Sequence, residues 1–159
     1  MLGAYAVGKT SLVKRFVESM FDESYHTTIG VQIDKKRTEV EGRPMTLIIW
    51  DLAGEDEVEQ IRLSHLRGAS GYVLVADGCR RSTLERTVAL RRCVDETIGR
   101  IPFVLAVNKA DLRQDWDVDL TVAQQLAIDD STVFHTSAKT GDRVEEMFQA
   151  LATKMLSTH

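Results

Sequence analysis

The octapeptide at residues 3–10, GAYAVGKT, constrains the fold of this 159-residue chain more than any other feature. It matches the pattern G-x-x-x-x-G-K-[ST] at every fixed position, and a helical pattern of apolar residues follows at once. Such a loop turns backbone N–H groups and a helix N-terminus toward bound phosphates. Lys9 would supply a cation, and the Thr10 hydroxyl a ligand for Mg²⁺. The loop therefore indicates a nucleoside triphosphate site, unless the match is a chance one in a glycine-bearing turn.

The rest of the chain alternates strand-like and helix-like patterns, which predicts a three-layer α/β fold. The apolar runs at 72–76 (YVLVA) and 103–107 (FVLAV) are typical of parallel strands that are buried on both faces. Apolar residues spaced three or four apart predict helices at 12–20, 84–98, 122–127 and 144–155, and residues 133–134 predict a last strand. Right-handed crossovers between such strands give a mostly parallel sheet between two layers of helices.

One hairpin and a short first strand complete the predicted fold. Extended stretches at 31–40 and 45–50 flank a turn at Glu41–Pro44, which predicts a single antiparallel hairpin whose register the four-residue turn leaves open. Only Met1 and Leu2 precede the phosphate loop, so we expect the N-terminal strand to be short or truncated. The chain has the length of one domain with one core, and we expect residues 1–159 to form it.

The composition argues against several classes of function. With a net charge of −4 and a pI of about 5.6, the chain has no basic excess that would predict nucleic-acid binding. No apolar run approaches the roughly 20 residues that span a bilayer, so we expect no membrane span. Cys79 and Cys93 are too few for a disulfide framework and lack metal-ligand spacing, so we expect free thiols and a cytoplasmic protein.

Two polar segments that follow predicted strands indicate which base is bound. Asn108, Lys109 and Asp111 come directly after the second buried run. The Asp111 carboxylate can accept hydrogen bonds from the ring N–H and the exocyclic amine of guanine, and the wrong base would leave buried groups unpaired. Lys109 can lie over the base, and the Asn108 amide can tie this loop to the phosphate loop. The segment 136–139 (TSAK) follows the last strand, where the Ala138 N–H can reach the guanine oxygen. Either segment alone could be an ordinary polar turn.

The order of these motifs resembles that of the Ras superfamily of small GTPases, most of all its Rab-like branch, from Gly3 to the last helix. TTIG at 27–30 resembles the first switch of that family, and WDLAG at 50–54 resembles the start of the second. The resemblance implies the P-loop NTPase fold of a small GTPase (G) domain that binds GTP or GDP with Mg²⁺. Each motif alone also has a structural explanation, such as helix-end packing for Phe21.

The resemblance also assigns roles to individual residues. In that pattern Phe21 stacks near the base, Asp51 holds the Mg²⁺ shell through a water, and the Thr28 and Gly54 N–H groups meet the γ-phosphate. The implied metal site consists of Thr10, Thr28 and Asp51, and the implied catalytic residues are Lys9, Thr28, Gly54 and Glu55. The implied nucleotide site consists of Ala4, Tyr5, Ala6, Val7, Gly8, Lys9, Thr10, Ser11, Phe21, Tyr25, Thr28, Gly54, Asn108, Lys109, Asp111, Ser137, Ala138 and Lys139.

A switch function follows from the same resemblance. Two loops would clamp the γ-phosphate and relax when it is lost. Effectors, exchange factors and GTPase-activating proteins would then bind a monomer through residues around 25–36 and 55–67.

Two departures from the family pattern bear on the rate of GTP hydrolysis. Glu55 stands where the family usually has the glutamine that orients the attacking water, and Tyr5 stands where a small glycine leaves room for an activating arginine. We therefore expect a GTPase with slow intrinsic hydrolysis. The alternatives are a GTP-locked or pseudo-GTPase scaffold, another P-loop enzyme such as an ATP-dependent small-molecule kinase, and one domain of a larger chain. The guanine-reading segments argue against the kinase.

Overall fold

The computed structural model describes residues 1–24, 26–53, 65–119, 121, 123 and 132–158. We number the described strands β1 to β6 and the described α-helices α1 to α3. Among the described residues, no helix has both the length and the apolar character that crossing a membrane requires. The elements are β1 (Leu2–Gly3), α1 (Lys9–Glu18), β2 (Val31–Val40), β3 (Arg43–Leu52), β4 (Tyr72–Asp77), α2 (Arg81–Ile98), β5 (Phe103–Asn108), a 3₁₀ helix (Ala110–Asp115), β6 (Val133–His135) and α3 (Val144–Ser157).

The predicted parallel sheet is confirmed, with the strand order β1-β4-β5-β6. Every residue of β4 and β5 is buried, as the two apolar runs predict. Asp77 pairs with Asn108 at the last register position of these strands, so both strands end level with each other. The polar residues after them therefore share one edge of the sheet. The first strand has two residues, and the phosphate loop follows it directly.

Side chains alternate between the two faces of the sheet, so the apolar core of the domain lies in two parts between three layers. Val73 and Val75 of β4 pack on the side of α1 and α3, where Phe16 and Phe148 stack with their ring centroids 4.1 Å apart. Leu74 of β4 faces the other way, into the core that α2 covers. Helices thus lie on both faces of the sheet, as predicted.

The predicted hairpin is confirmed, but its turn is shorter than the sequence suggested. The pairing of β2 with β3 runs from Val31 opposite Leu52 to Val40 opposite Arg43, so only Glu41 and Gly42 form the turn. Their φ values of 51° and 74° are those of a type I′ turn, whose twist matches that of the flanking strands. The prediction of a four-residue turn at Glu41–Pro44 was therefore wrong. The hairpin forms a two-stranded sheet of its own.

One predicted helix ends earlier than expected, and another lies almost entirely outside the described residues. The first helix ends at Glu18 because Ser19 adopts a left-handed conformation with φ 57°, so Met20 lies outside it and is 61% exposed. The prediction that Met20 belongs to the buried face was wrong. The helix predicted at 122–127 lies outside the described residues apart from Ala123, which is buried.

Candidate nucleotide site

The phosphate loop wraps between β1 and α1 in a conformation that only glycine adopts readily. Gly8 has φ 101° and precedes the first residue of α1, so the loop turns sharply into the helix N-terminus. A Cβ atom at this position would collide with Nδ2 of Asn108. The glycine is thus required both by its backbone angle and by the close approach of the base-reading loop.

Lys9 is held over the loop rather than extended into solvent. The residue is 6% exposed, and its Nζ donates to the carbonyls of Gly3 at 2.9 Å and Ala4 at 2.8 Å. Burial lowers the pKa of Lys9 to about 8, against the opposing charge of Asp51. A buried cation in a loop of this shape is complementary to the negative charge of a phosphate chain.

Three oxygen-bearing side chains from three separate segments of the chain meet beside Lys9. The Thr10 hydroxyl donates to Oδ2 of Asp51 at 2.5 Å and lies 2.6 Å from the Thr28 hydroxyl. Asp51 is fully buried at the end of β3, and burial raises its pKa although the Thr10 hydrogen bond opposes this shift. These are the three residues that the sequence assigned to the metal.

The donor set at this cluster suits Mg²⁺. Hard oxygen ligands from a carboxylate and hydroxyl groups are those that Mg²⁺ prefers. Oδ1 of Asp51 is buried, and it has no hydrogen-bond partner among the residues that the structure describes. A buried carboxylate oxygen without a partner is costly, so a cation or its water shell would satisfy it. The residues present therefore fit the ion.

Asn108 joins the base-reading loop to the phosphate loop. It is 2% exposed, and its Nδ2 donates to the Val7 carbonyl at 3.0 Å, which is the tie expected from the sequence. Its Oδ1 accepts from the Thr136 hydroxyl at 3.2 Å and from the Ala138 N–H at 3.3 Å. The Ala138 N–H, which we expected to face the guanine oxygen, thus makes a long bond to Asn108 in this structure.

Asp111 is supported by the loop that follows β6. Its Oδ1 accepts from the Ser137 hydroxyl at 2.6 Å, and Ser137 is itself fully buried. This bond fixes the direction of the carboxylate, and its other oxygen has no hydrogen-bond partner among the residues that the structure describes. Arg15 of α1 secures the same loop, because its guanidinium donates to the carbonyls of Ala138 at 2.7 Å and Lys139 at 2.5 Å.

These groups surround a cavity of about 500 Å³, a volume within the range of small-molecule sites. Of the predicted nucleotide-binding residues, the following line it: Tyr5, Ala6, Gly8, Lys9, Thr10, Ser11, Phe21, Thr28, Asn108, Lys109, Asp111, Ala138 and Lys139. Four predicted residues are not part of this lining: Ala4, Val7, Asp51 and Ser137. Three predicted residues, Tyr25, Gly54 and Glu55, lie outside the described residues.

Sequence reasoning missed several residues of the site. The cavity is also lined by Lys14, Asp22, Glu23, Ser24, His26 and Leu112. Sequence reasoning also missed Asp77, whose carboxylate accepts a hydrogen bond from Lys109 Nζ at 2.7 Å. A signal for Asp77 exists, because it is the polar residue that ends a buried strand beside Asn108. No pattern in the sequence indicates Arg15, which reaches a loop more than 120 residues away.

Comparison with known proteins gives one consistent family. The model described as Ras family matches residues 1–157. Ras-related protein Rab-13 of Rattus norvegicus is 32% identical over 158 residues, which cover 98% of this chain and 78% of that protein. Ras-related protein Rab-4 of Dictyostelium discoideum is 32% identical over 93% of this chain and 73% of its own length. GTP-binding protein yptV2 of Volvox carteri is 34% identical over 99% of this chain and 74% of its own length.

Proposed function

Because this chain belongs to the Ras family and resembles its Rab members, it is a small GTPase of the nucleotide-binding switch type, and we propose that it binds GTP and GDP with Mg²⁺ and hydrolyses GTP slowly. The two nucleotide states would control the binding of effector proteins. We propose further that it acts as a monomer in the cytoplasm.

One observation carries the proposed specificity for guanine. Lys9 and Thr10 line one part of a cavity and Asp111 lines another, and the Asn108–Val7 hydrogen bond joins the loops that bear them. A nucleotide in this cavity would present its phosphates to Lys9 and its guanine edge to Asp111. Adenine has no N–H at the ring position that Asp111 would pair with, and its binding would leave the carboxylate without a partner on the base.

The side chains divide the work of holding the phosphates. Lys9 and the backbone of the phosphate loop would neutralise and orient the outer phosphates, and Thr10, Thr28 and Asp51 would hold Mg²⁺. When bound, this ion neutralises negative charge on the phosphate oxygens. Thr28 precedes β2, so its place beside Thr10 would connect the state of the nucleotide to the hairpin.

The surface that such a switch would offer to partners lies along the hairpin. Ile29, Ile33, Ile48 and Trp50 are exposed by 91%, 56%, 54% and 41%. Ile29 follows Thr28 of the cavity directly, and the other three lie in the hairpin. Exposed apolar side chains of this kind suit a surface that effectors, exchange factors and GTPase-activating proteins recognise. The other proposed contacts at 55–64 lie outside the described residues.

Slow hydrolysis is proposed from Glu55 and Tyr5. A carboxylate at position 55 is repelled by the γ-phosphate and orients water less well than the usual glutamine. Tyr5 lines the cavity, and its hydroxyl lies 3.2 Å from the Thr27 hydroxyl. Its bulk would obstruct an activating arginine that entered at this position of the loop. The same two residues favour the second candidate function, a GTP-locked scaffold with negligible turnover.

Single-turnover hydrolysis of radiolabelled GTP tests this proposal. We expect the unmodified protein to turn over well below about once per minute, and Glu55→Gln to be severalfold faster because the amide can orient water. Glu57→Gln, which removes the same charge two residues away, is the matched control and should leave the rate unchanged. Undetectable hydrolysis by both the unmodified protein and Glu55→Gln would favour the scaffold. Fast hydrolysis by the unmodified protein would contradict the proposed rate.

A further inference from the structure

We propose that Asp77 and Arg80, in the turn between β4 and α2, are positioning residues that couple the base-reading loop to the phosphate loop. The sequence motifs and the family resemblance assigned neither residue to the site. The inference rests on the proposed function, since it concerns how the same cavity holds its nucleotide. We refer to these two side chains and their contacts as the bracket.

The first half of the bracket is the buried carboxylate of Asp77. Its side chain is 2% exposed, and it accepts from three donors: Lys109 Nζ at 2.7 Å, Arg80 Nε at 2.9 Å and the Cys79 N–H at 2.9 Å. Burial opposes its charge, but these donors together outweigh burial and hold the pKa of Asp77 below its ordinary value. The group is therefore an anion at neutral pH, and it is compensated by two cations.

Both cations bind the same oxygen. Lys109 Nζ and Arg80 Nε each donate to Oδ2 of Asp77. Lys109 lines the cavity, and its backbone is in the left-handed region with φ 70°. The position of the lysine that would lie over the base is thus set by a carboxylate that it shares with Arg80.

The second half of the bracket is the guanidinium of Arg80, which reaches the phosphate loop. While Nε binds Asp77, Nη2 donates to the Tyr5 carbonyl at 2.7 Å. The planar fork of an arginine can hold two acceptors at fixed relative positions, which a lysine cannot do. Arg80 therefore transmits the position of the buried carboxylate to the loop that would bind the phosphates.

The residue that the bracket constrains is Ala6. It has φ 58°, a left-handed conformation that costs energy for a residue other than glycine. The carbonyls on either side of it are both held, that of Tyr5 by Arg80 and that of Val7 by Asn108. Two anchors around one strained residue keep the loop in shape, so the loss of Arg80 should release it and weaken the grip on the phosphates.

The rate at which a fluorescent GDP analogue leaves the full chain in excess GDP tests the inference. Arg80→Ala should speed release about tenfold, since a charge-assisted hydrogen bond to the phosphate loop is lost from a half-exposed site. Arg81→Ala is the matched control. Arg81 is adjacent, its side chain is 62% exposed, and it forms an ion pair with Glu85 on the surface of α2. Its removal should change the rate by less than about twofold.

A double variant tests whether the two residues act as one unit. Asp77→Asn leaves both cations without their anion, so its release should be at least as fast as that of Arg80→Ala. The double variant Asp77→Asn/Arg80→Ala should speed release by less than the product of the two single factors. The double variant Asp77→Asn/Arg81→Ala should speed it by the full product. If Asp77→Asn does not fold, Arg80→Lys replaces it. This variant keeps the charge but not the fork, and it should release the analogue at an intermediate rate.

The dependence of the release rate on the base distinguishes a positioning role from a general loosening of the nucleotide site. The bracket acts on Lys109 and the phosphate loop, so Arg80→Ala should speed release of GDP and of IDP, which lacks the exocyclic amine, by the same factor. Loosening that displaced Asp111 would speed GDP release more than IDP release. An unchanged rate in Arg80→Ala, multiplicative effects within the bracket or a GDP-selective effect would each overturn the inference. A protein that binds no guanine nucleotide would instead overturn the proposed function.

Discussion

The base-reading end of the cavity and the switch end are built in different ways. At the base end, Asn108, Thr136 and Ser137 are at most 2% exposed, and their side chains are hydrogen-bonded to groups from other elements. At the switch end, the β2–β3 hairpin forms a separate sheet. Two hydroxyl pairs connect the segment before it to the phosphate loop, Thr28 with Thr10 and Thr27 with Tyr5.

This difference reflects the different tasks of the two ends. A base is recognised by fixed donors and acceptors, and these must be oriented before the ligand arrives. A switch segment must change conformation when one phosphate is lost. Only a few contacts can therefore hold it in place, and loss of the phosphate must alter them. Substitutions at the base end should therefore affect affinity strongly, and those at the switch end only weakly.

The largest expected effect is a change of base preference. Asp111→Asn removes the acceptor for the guanine ring N–H, so we expect GDP affinity to fall by about 10³-fold. The asparagine amide can donate to the extra carbonyl of xanthine, so XDP affinity should rise at the same time. Competition against a fluorescent GDP analogue measures both. Asp115→Asn, an exposed residue of the same 3₁₀ helix, should change neither affinity.

A pair of glycines tests the contrast, one in the phosphate loop against Asn108 of the base end and one in the segment before the hairpin. Gly8→Ala strains a residue with φ 101° and displaces Asn108, so GDP affinity should fall about 100-fold. Gly30 has φ 73°, and a Cβ there would meet no atom within 4 Å. Gly30→Ala should therefore cost about 1 kcal/mol in the free energy of unfolding and leave GDP affinity within about threefold. Isothermal titration and urea unfolding measure these effects, and equal affinity losses would break the comparison.

The smallest expected effect concerns the link between Tyr5 and Thr27. Tyr5→Phe removes one hydroxyl from an exposed contact of 3.2 Å, so a nonhydrolysable GTP analogue should dissociate only about twofold faster. Stopped-flow displacement resolves such a change. A tenfold increase would mean that the switch segment is held as firmly as the base-reading loop.

Sequence reasoning located most of the groups that act within one loop or directly at a strand end, although it missed Asp77 at the end of β4. The octapeptide and the apolar run at 103–107 place the phosphate loop, Asn108 and Asp111 on one sheet edge, because parallel strands end together. Arg80 and Arg15 were missed because their partners lie 75 and more than 120 residues away, and only the folded chain brings them together.

The turn of the hairpin was mispredicted for a local reason. Apolar alternation indicates the two strands, but it does not show where pairing stops, and Pro44 suggested a longer loop. The structure pairs Pro44 with Glu39 and confines the turn to Glu41 and Gly42. A glycine that can adopt positive φ at the second turn position was the signal for a two-residue loop.

Equilibrium titration of the nucleotide-free protein with GDP and with ADP, each with Mg²⁺, tests the central claim most directly. The cavity pairs an anion-binding loop with a carboxylate that suits the guanine edge. We therefore expect GDP to bind about 10⁴-fold more tightly than ADP. Equal affinities, or no binding of either nucleotide, would contradict the account.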